Sequence, residues 1–225
     1  MSDPLELLRE HRLAAIVQAP ERVALIARAE AAARGGIALF LLPVTIPFVA
    51  EIAAEIADRT DATVGLSDVI EPEHLNVALA AGAELVFSPM FDEELIRACR
   101  QRGLSIVPGV ATPTELVVAS RAHEGPVALY PVGSLGGIDD VARLIRLRSS
   151  VAVVATGGIG PDNGPQYLEA GASAIVIDVG LFPADNDPAS LEIITARASA
   201  LMEICGEIPR ELPLSTYGEG RRIAG

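Results

Sequence analysis

The sequence predicts a parallel α/β barrel of the (β/α)8 (TIM) type, and three observations predict it. Short β-branched apolar runs alternate with longer Ala-rich, charge-dotted runs, the pattern of parallel strands each followed by a crossover helix. Eight such units fit in 225 residues, and eight parallel strands can close on themselves and leave no edge. Half of the positions are hydrophobic, enough at this length for one sizeable core.

The elements follow in chain order. DPLELLREHR has helical spacing at Leu5, Leu8 and the aliphatic stem of Arg12, and predicts a helix that caps the bottom of the barrel. The predicted strands are LAAIVQA (13–19), IALFLLP (37–43), ATVGLSD (62–68), LVFSP (85–89), SIVPGV (105–110), VALYP (127–131), VAVVAT (151–156) and AIVIDV (174–179). Helices are expected to open at Pro20, Pro47, Pro72, Asp92, Thr112, Ile138, Pro161 and Pro188. Proline marks a first helical turn because its missing N–H costs nothing there. The turns ARGG, AAGA, RQRG and EAGA supply the glycine that a left-handed helix end requires. Glu115 stands three residues after Thr112, the spacing of a capping box. The barrel is assigned to residues 1–206. Residues 207–225 turn to Pro, Gly and polar residues without periodicity, and read as an extended or disordered tail or one ordered only against a partner, as a docking peptide is. A doubly wound open sheet is the alternative, but the first βα turn, QAPER, lacks the glycines that admit a dinucleotide.

Composition narrows the function. A net charge of -13 repels a phosphate backbone, so no nucleic-acid partner is expected. Apolar runs are broken within a strand's length, well short of the ~18–20 residues needed to cross a bilayer. With acidic residues at the N-terminus in place of a secretory signal, no membrane contact and a cytoplasmic location are expected. Cys99 and Cys205 have no neighbouring cysteine at metal-ligand spacing and read as reduced, buried thiols. All 17 basic side chains are arginine; there is no lysine.

In such a barrel, function gathers where the strands end. The residues there are Gln18, Pro43, Thr45, Ser67, Asp68, Ser88, Pro89, Pro108, Gly109, Tyr130, Pro131, Thr156, Gly157, Gly158 and Asp178. VVATGGIGPDN (153–163) ends a strand in Thr-Gly-Gly, whose bare N–H groups suit a phosphate or carboxylate; the alternative is a plain tight turn. Asp68 and Asp178, joined by Glu71 or His74, are candidate ligands for a divalent cation, the carboxylates through oxygen, and no other cofactor is expected. The alternative for both aspartates is helix capping or a hydrogen bond to the loops. Tyr130 either projects into the mouth or packs its ring.

The order RGGIALFLLPVT, ATVGLSDVIEPEHLNVALAAGAELVFSP, LSIVPGVATPTEL, VALYPVGSLGG and VVATGGIGPDN resembles the 2-keto-3-deoxy-6-phosphogluconate (KDPG) / 4-hydroxy-2-oxoglutarate (KHG) aldolases over residues 13–183. The resemblance implies a homotrimeric class I aldolase that cleaves a keto-acid to pyruvate and an aldehyde through a lysine Schiff base. That lysine lies in a motif like Lys-Phe-Phe-Pro-Ala, which aligns with Ala128 to Val132, so Ala128 takes its place. The family's glutamate falls on Leu41, its carboxylate-holding arginine on Thr45 and its first-strand arginine on Gln18. A threonine becomes Asp68, and the glycines and serine completing a phosphate site become Ile177, Asp178 and Val179. With no amine for the Schiff base, two expectations stand. One is a barrel that binds a small phosphorylated or carboxylated molecule through Thr45, Asp68, Pro89, Tyr130, Thr156, Gly157, Gly158 and Asp178, or serves as a non-catalytic assembly subunit. The other is a lyase with a lysine-independent, metal-assisted mechanism.

Overall fold

The computed structural model describes residues 4–147, 150–183 and 188–209, with Pro4, Leu5, Leu7, Pro188 and Ala189 described in their backbone alone. Residues 210–225, most of the predicted tail, lie outside the described residues. The order is α1 (Pro4–His11), β1 (Leu13–Ile16), α2 (Arg22–Arg34), β2 (Leu39–Pro43), α3 (Val49–Arg59), β3 (Thr63–Ser67), α4 (His74–Ala80) and β4 (Leu85–Phe87). It continues with α5 (Glu93–Arg102), β5 (Ser105–Val107), β6 (Gly109–Val110), α6 (Pro113–Ala122) and β7 (Val127–Leu129). A single 3-10 turn (Val132–Ser134), α7 (Ile138–Leu147), β8 (Val153–Thr156), α8 (Gly164–Glu169), β9 (Ala174–Ile177) and α9 (Pro188–Glu207) complete it.

All pairings are parallel, in the order β5-β4-β3-β2-β1-β9-β8-β7-β6. The two ends of this sheet are halves of one predicted strand, parted at Pro108, which has no N–H to give a ladder. Phe87 pairs with Val107 on one side of the break and Gly109 with Ala128 on the other, so the chain itself closes the barrel.

The period of two along each strand sorts side chains into two layers. In β2, Leu39 and Leu41 point into the barrel while Phe40 and Leu42 face the helices. The inner layer also holds Ala14, Leu85, Phe87, Val107, Ala128, Val154, Ala174 and Val176. Leu8 joins them from α1, which touches β1, β2 and β9, so the predicted bottom cap is present. Burying a leucine there is worth about 2 kcal/mol. Arg12 has a left-handed φ of 59°; its N–H reaches the Leu8 carbonyl at 3.0 Å and its Nη1 the Ile208 carbonyl at 2.7 Å. The cap is thereby tied to the end of α9.

Two corrections concern boundaries. Helices expected at Pro20, Pro47, Pro72 and Pro161 begin at Arg22, Val49, His74 and Gly164, because these prolines sit in the reversing turns. The Pro72 carbonyl, for example, accepts the Leu75 N–H at 3.2 Å. Several strands also stop one to three residues early, where the ladder gives way to those turns. Cys99 and Cys205 are buried and free, and loss of water pushes each thiol up to about 11. No helix among the described residues is long and apolar enough to cross a membrane.

Candidate functional site

The strand ends form the mouth of the barrel. Gln18, past β1, is exposed, and its carbonyl accepts Arg28 Nη1 at 2.6 Å while Arg28 Nη2 reaches the Pro183 carbonyl at 2.8 Å. Arg28 thus stitches the loop after β1 to the loop after β9. It went unnoticed in the sequence because an arginine in an alanine-rich helix carries no sign of burial. Thr45 is exposed past β2, and Pro43 is buried. Asp68, past β3, is exposed with a left-handed φ of 59°, and the Ser67 hydroxyl lies 3.5 Å from its Oδ2. His74 Nδ1 accepts the Ile70 N–H at 3.3 Å, so it closes its own loop. The buried Ser88 hydroxyl accepts the Met90 N–H at 3.3 Å beside the half-buried Pro89.

Gly109 lets two strands meet, since a Cβ there would lie 2.5 Å from the Pro89 carbonyl. Gly157 has φ +90°, and its Cβ would lie 2.7 Å from Pro131 Cα and 2.8 Å from Tyr130 Cδ2. The Tyr130 ring therefore packs on this glycine, the second of its two expected roles, while 36% of the residue remains exposed.

The Thr-Gly-Gly turn is already occupied. Asp178, carried two strand widths round from β7 at the end of β9, accepts the Gly158 N–H with both oxygens, at 3.0 and 2.9 Å. Its Oδ1 also accepts the Ile159 N–H at 2.7 Å. Asn163 completes the loop: its Oδ1 accepts the Gly160 N–H at 2.8 Å and its Nδ2 donates to the Gly158 carbonyl at 3.0 Å. Of the two readings of Asp178, the loop hydrogen bond is the one these distances describe. The part of Asn163 was not foreseen, although P-D-N-G (161–164) is a turn signal that points to it.

Below the mouth the barrel is dry. Ala128 is 1% exposed and Leu41 0%, both inside the apolar inner layer. Gly65 leaves the space that Leu41 fills, for a Cβ there would sit 3.0 Å from Leu41 Cδ2. Asp68 and Asp178 belong to β3 and β9, which β1 and β2 separate. Among the described residues no three His, Cys, Asp or Glu side chains converge on one point. A surface groove of about 610 Å³ opens at the other end of the barrel between the ends of α2 and α3. Arg59 lines it, paired to Glu30 at 3.3 Å and Glu55 at 2.5 Å, and none of the mouth residues does.

A closed parallel barrel with a capping helix and its polar groups at the strand ends defines a protein of the (β/α)8-barrel class. The family model for KDPG and KHG aldolase matches residues 5–194. The 2-dehydro-3-deoxy-6-phosphogalactonate aldolase of Escherichia coli K12 is 29% identical over 142 residues, 63% of this chain and 68% of the relative. The 2-dehydro-3-deoxy-phosphogluconate aldolase of Treponema pallidum is 34% identical over 117 residues, 52% of this chain and 56% of the relative. In fold, the crystal structure of 2-keto-3-deoxy-6-phospho-gluconate aldolase from Zymomonas mobilis matches with a TM-score of 0.80 at 22% identity, over 93% of this chain and 98% of that one. The chain belongs to the KDPG and KHG aldolase family.

Proposed function

We propose that this chain is a family member that does not carry out Schiff-base aldol cleavage and serves as a non-catalytic assembly subunit. The observation that carries this reading is the dry inner layer, where Ala128 and Leu41 fill the positions that the resemblance gives to lysine and glutamate. A Schiff base needs an unprotonated amine at the end of a side chain, and no lysine exists elsewhere to supply it. Arginine is no substitute, because its guanidinium stays protonated.

The mouth favours a surface role. Phe48, Ile70, Met90, Tyr130 and Val179 stand around it, each at least 36% exposed. Apolar side chains gathered on one face suit contact with protein better than with water. A homotrimer is the assembly proposed, and a cytoplasmic location goes with the reduced thiols. A phosphorylated or carboxylated ligand at the Gly157-Gly158 turn is less well supported, since Asp178 holds its donors.

The second reading, a metal-assisted carbon–carbon lyase, draws on Asp68, whose left-handed backbone is a strained conformation of the kind found at functional sites. It requires Asp178 to leave the glycine turn and a third ligand that the described residues do not bring into place.

The test treats the purified chain with pyruvate and borohydride and weighs it by mass spectrometry. No pyruvyl adduct is expected on any internal side chain, and no cleavage of 2-keto-3-deoxy sugar acids. An internal adduct would overturn the reading, and cleavage that appears only with magnesium or manganese would replace it with the second. Sedimentation is expected to give a trimer; a monomer at micromolar concentration would remove the assembly role.

A further inference from the structure

The turn after β8 has the chemistry of an anion nest. Gly157 and Gly158 both lie at left-handed φ, +90° and +85°, which swings successive N–H groups toward one point. The N–H groups of Gly158 and Ile159 meet there, and loops at this position of a parallel barrel are a common seat for phosphate. The group they hold is the carboxylate of the chain's own Asp178, by three contacts of 2.7–3.0 Å. The backbone keeps the two strands in step, since the Asp178 and Val179 N–H groups both reach the Ile159 carbonyl, at 3.0 and 3.1 Å. The next donor along is spent too, on Asn163.

We propose that Asp178 is an internal anion that fills this nest and determines its specificity, so that the site excludes inorganic phosphate and phosphate monoesters and takes them only when the carboxylate is removed. Two physical effects combine. The donors a phosphate would need are already accepted, and displacing Asp178 would leave a carboxylate without those donors. An incoming phosphate would also face a like charge a few ångströms away. Asp178 is half-exposed, so its removal leaves a seat that opens to water. The seat is that of a single anion, since the Gly158 N–H reaches both oxygens of one carboxylate and the Ile159 N–H one of them. This exclusion stands on the turn alone and does not depend on whether the barrel has lost aldol cleavage.

The experiment is an amide-resolved nuclear magnetic resonance titration of the full chain with inorganic phosphate, in the wild type, Asp178→Gly and Asp178→Ser. In the wild type the Gly158 and Ile159 resonances are expected not to move. In the variants both are expected to shift and saturate, with at least about tenfold tighter binding than any the wild type shows. Using two variants covers the failure of one to fold, and a native-like spectrum in each verifies it. Saturable shifts at Gly158 and Ile159 in the wild type would overturn the proposal whatever the variants do. So would two folded variants in which neither amide responds.

Discussion

Ala128 is the residue that the resemblance aligns with the family's lysine. It is 1% exposed, surrounded by the inner layer, and paired in register with Gly109 and Val154. Introducing an amine there should therefore not produce a reaction. Ala128→Lys places a long cation within an inner layer whose described members are apolar, at a cost of roughly 3–5 kcal/mol. Urea denaturation should record that loss, and an assay with a keto-acid substrate should record no gain in turnover. A variant as stable as the parent would mean that the barrel interior opens to water. That the resemblance sets Ala128 against the family's lysine was legible in the sequence, since an alanine in an otherwise recognisable strand is a matter of letters. The use of Asp178 was not: β9 and the Thr-Gly-Gly turn lie about 20 residues apart, and only the β8–β9 pairing sets the carboxylate on those two amides.

Helix α6 shows what is readable at the level of an element. The spacing of Thr112 and Glu115 predicted a capping box, and both halves are present: Thr112 Oγ1 accepts the Glu115 N–H at 3.3 Å, and Glu115 Oε2 accepts the Ala111 and Thr112 N–H groups at 2.9 Å. These bonds, that from Ala111 first, hold the Glu115 carboxyl below its ordinary range. Thr112→Ala should cost about 1 kcal/mol, seen as a lower urea midpoint at an unchanged slope. The box was legible because both partners lie within four residues of each other. The true starts of α2, α3, α4 and α8 were not, because a proline reads alike at a helix's first position and in the turn before it.

Three groups, Glu55 on α3, Glu115 in the first turn of α6 and His123 just past its end, give the whole molecule one response to acid. Glu55 is drawn below its ordinary value chiefly by Arg22, 2.6 Å away, and Glu115 by its capping bonds. Each stabilises the fold above the ordinary value of 4.5, and that contribution is lost as pH falls through the lowered value. His123 is held below its ordinary 6.5 chiefly by burial, and its Nε2 has no hydrogen-bond partner among the described residues. Its proton is taken up more readily by the unfolded chain, so stability falls as pH drops below 6.5. All three signs agree. The urea midpoint should therefore decline from pH 7 to 5 and decline again below 4.5, and His123→Gln should flatten the first decline while leaving the second. A first decline of equal size in that variant would assign it to other groups.

The sequence by itself determined the class of fold, the capping helix and the absence of a lysine, because periodicity, turn chemistry and composition are local or additive properties of a chain. It also carried the family, since ordered motifs survive in the letters even where the residues between them drift. Only the tertiary structure decided that Pro108 splits the closing strand, that Arg28 ties the first loop to the last, and that Asp178 fills the glycine turn. Each of these joins residues that the sequence holds apart, and barrel closure is what brings them within the reach of a hydrogen bond.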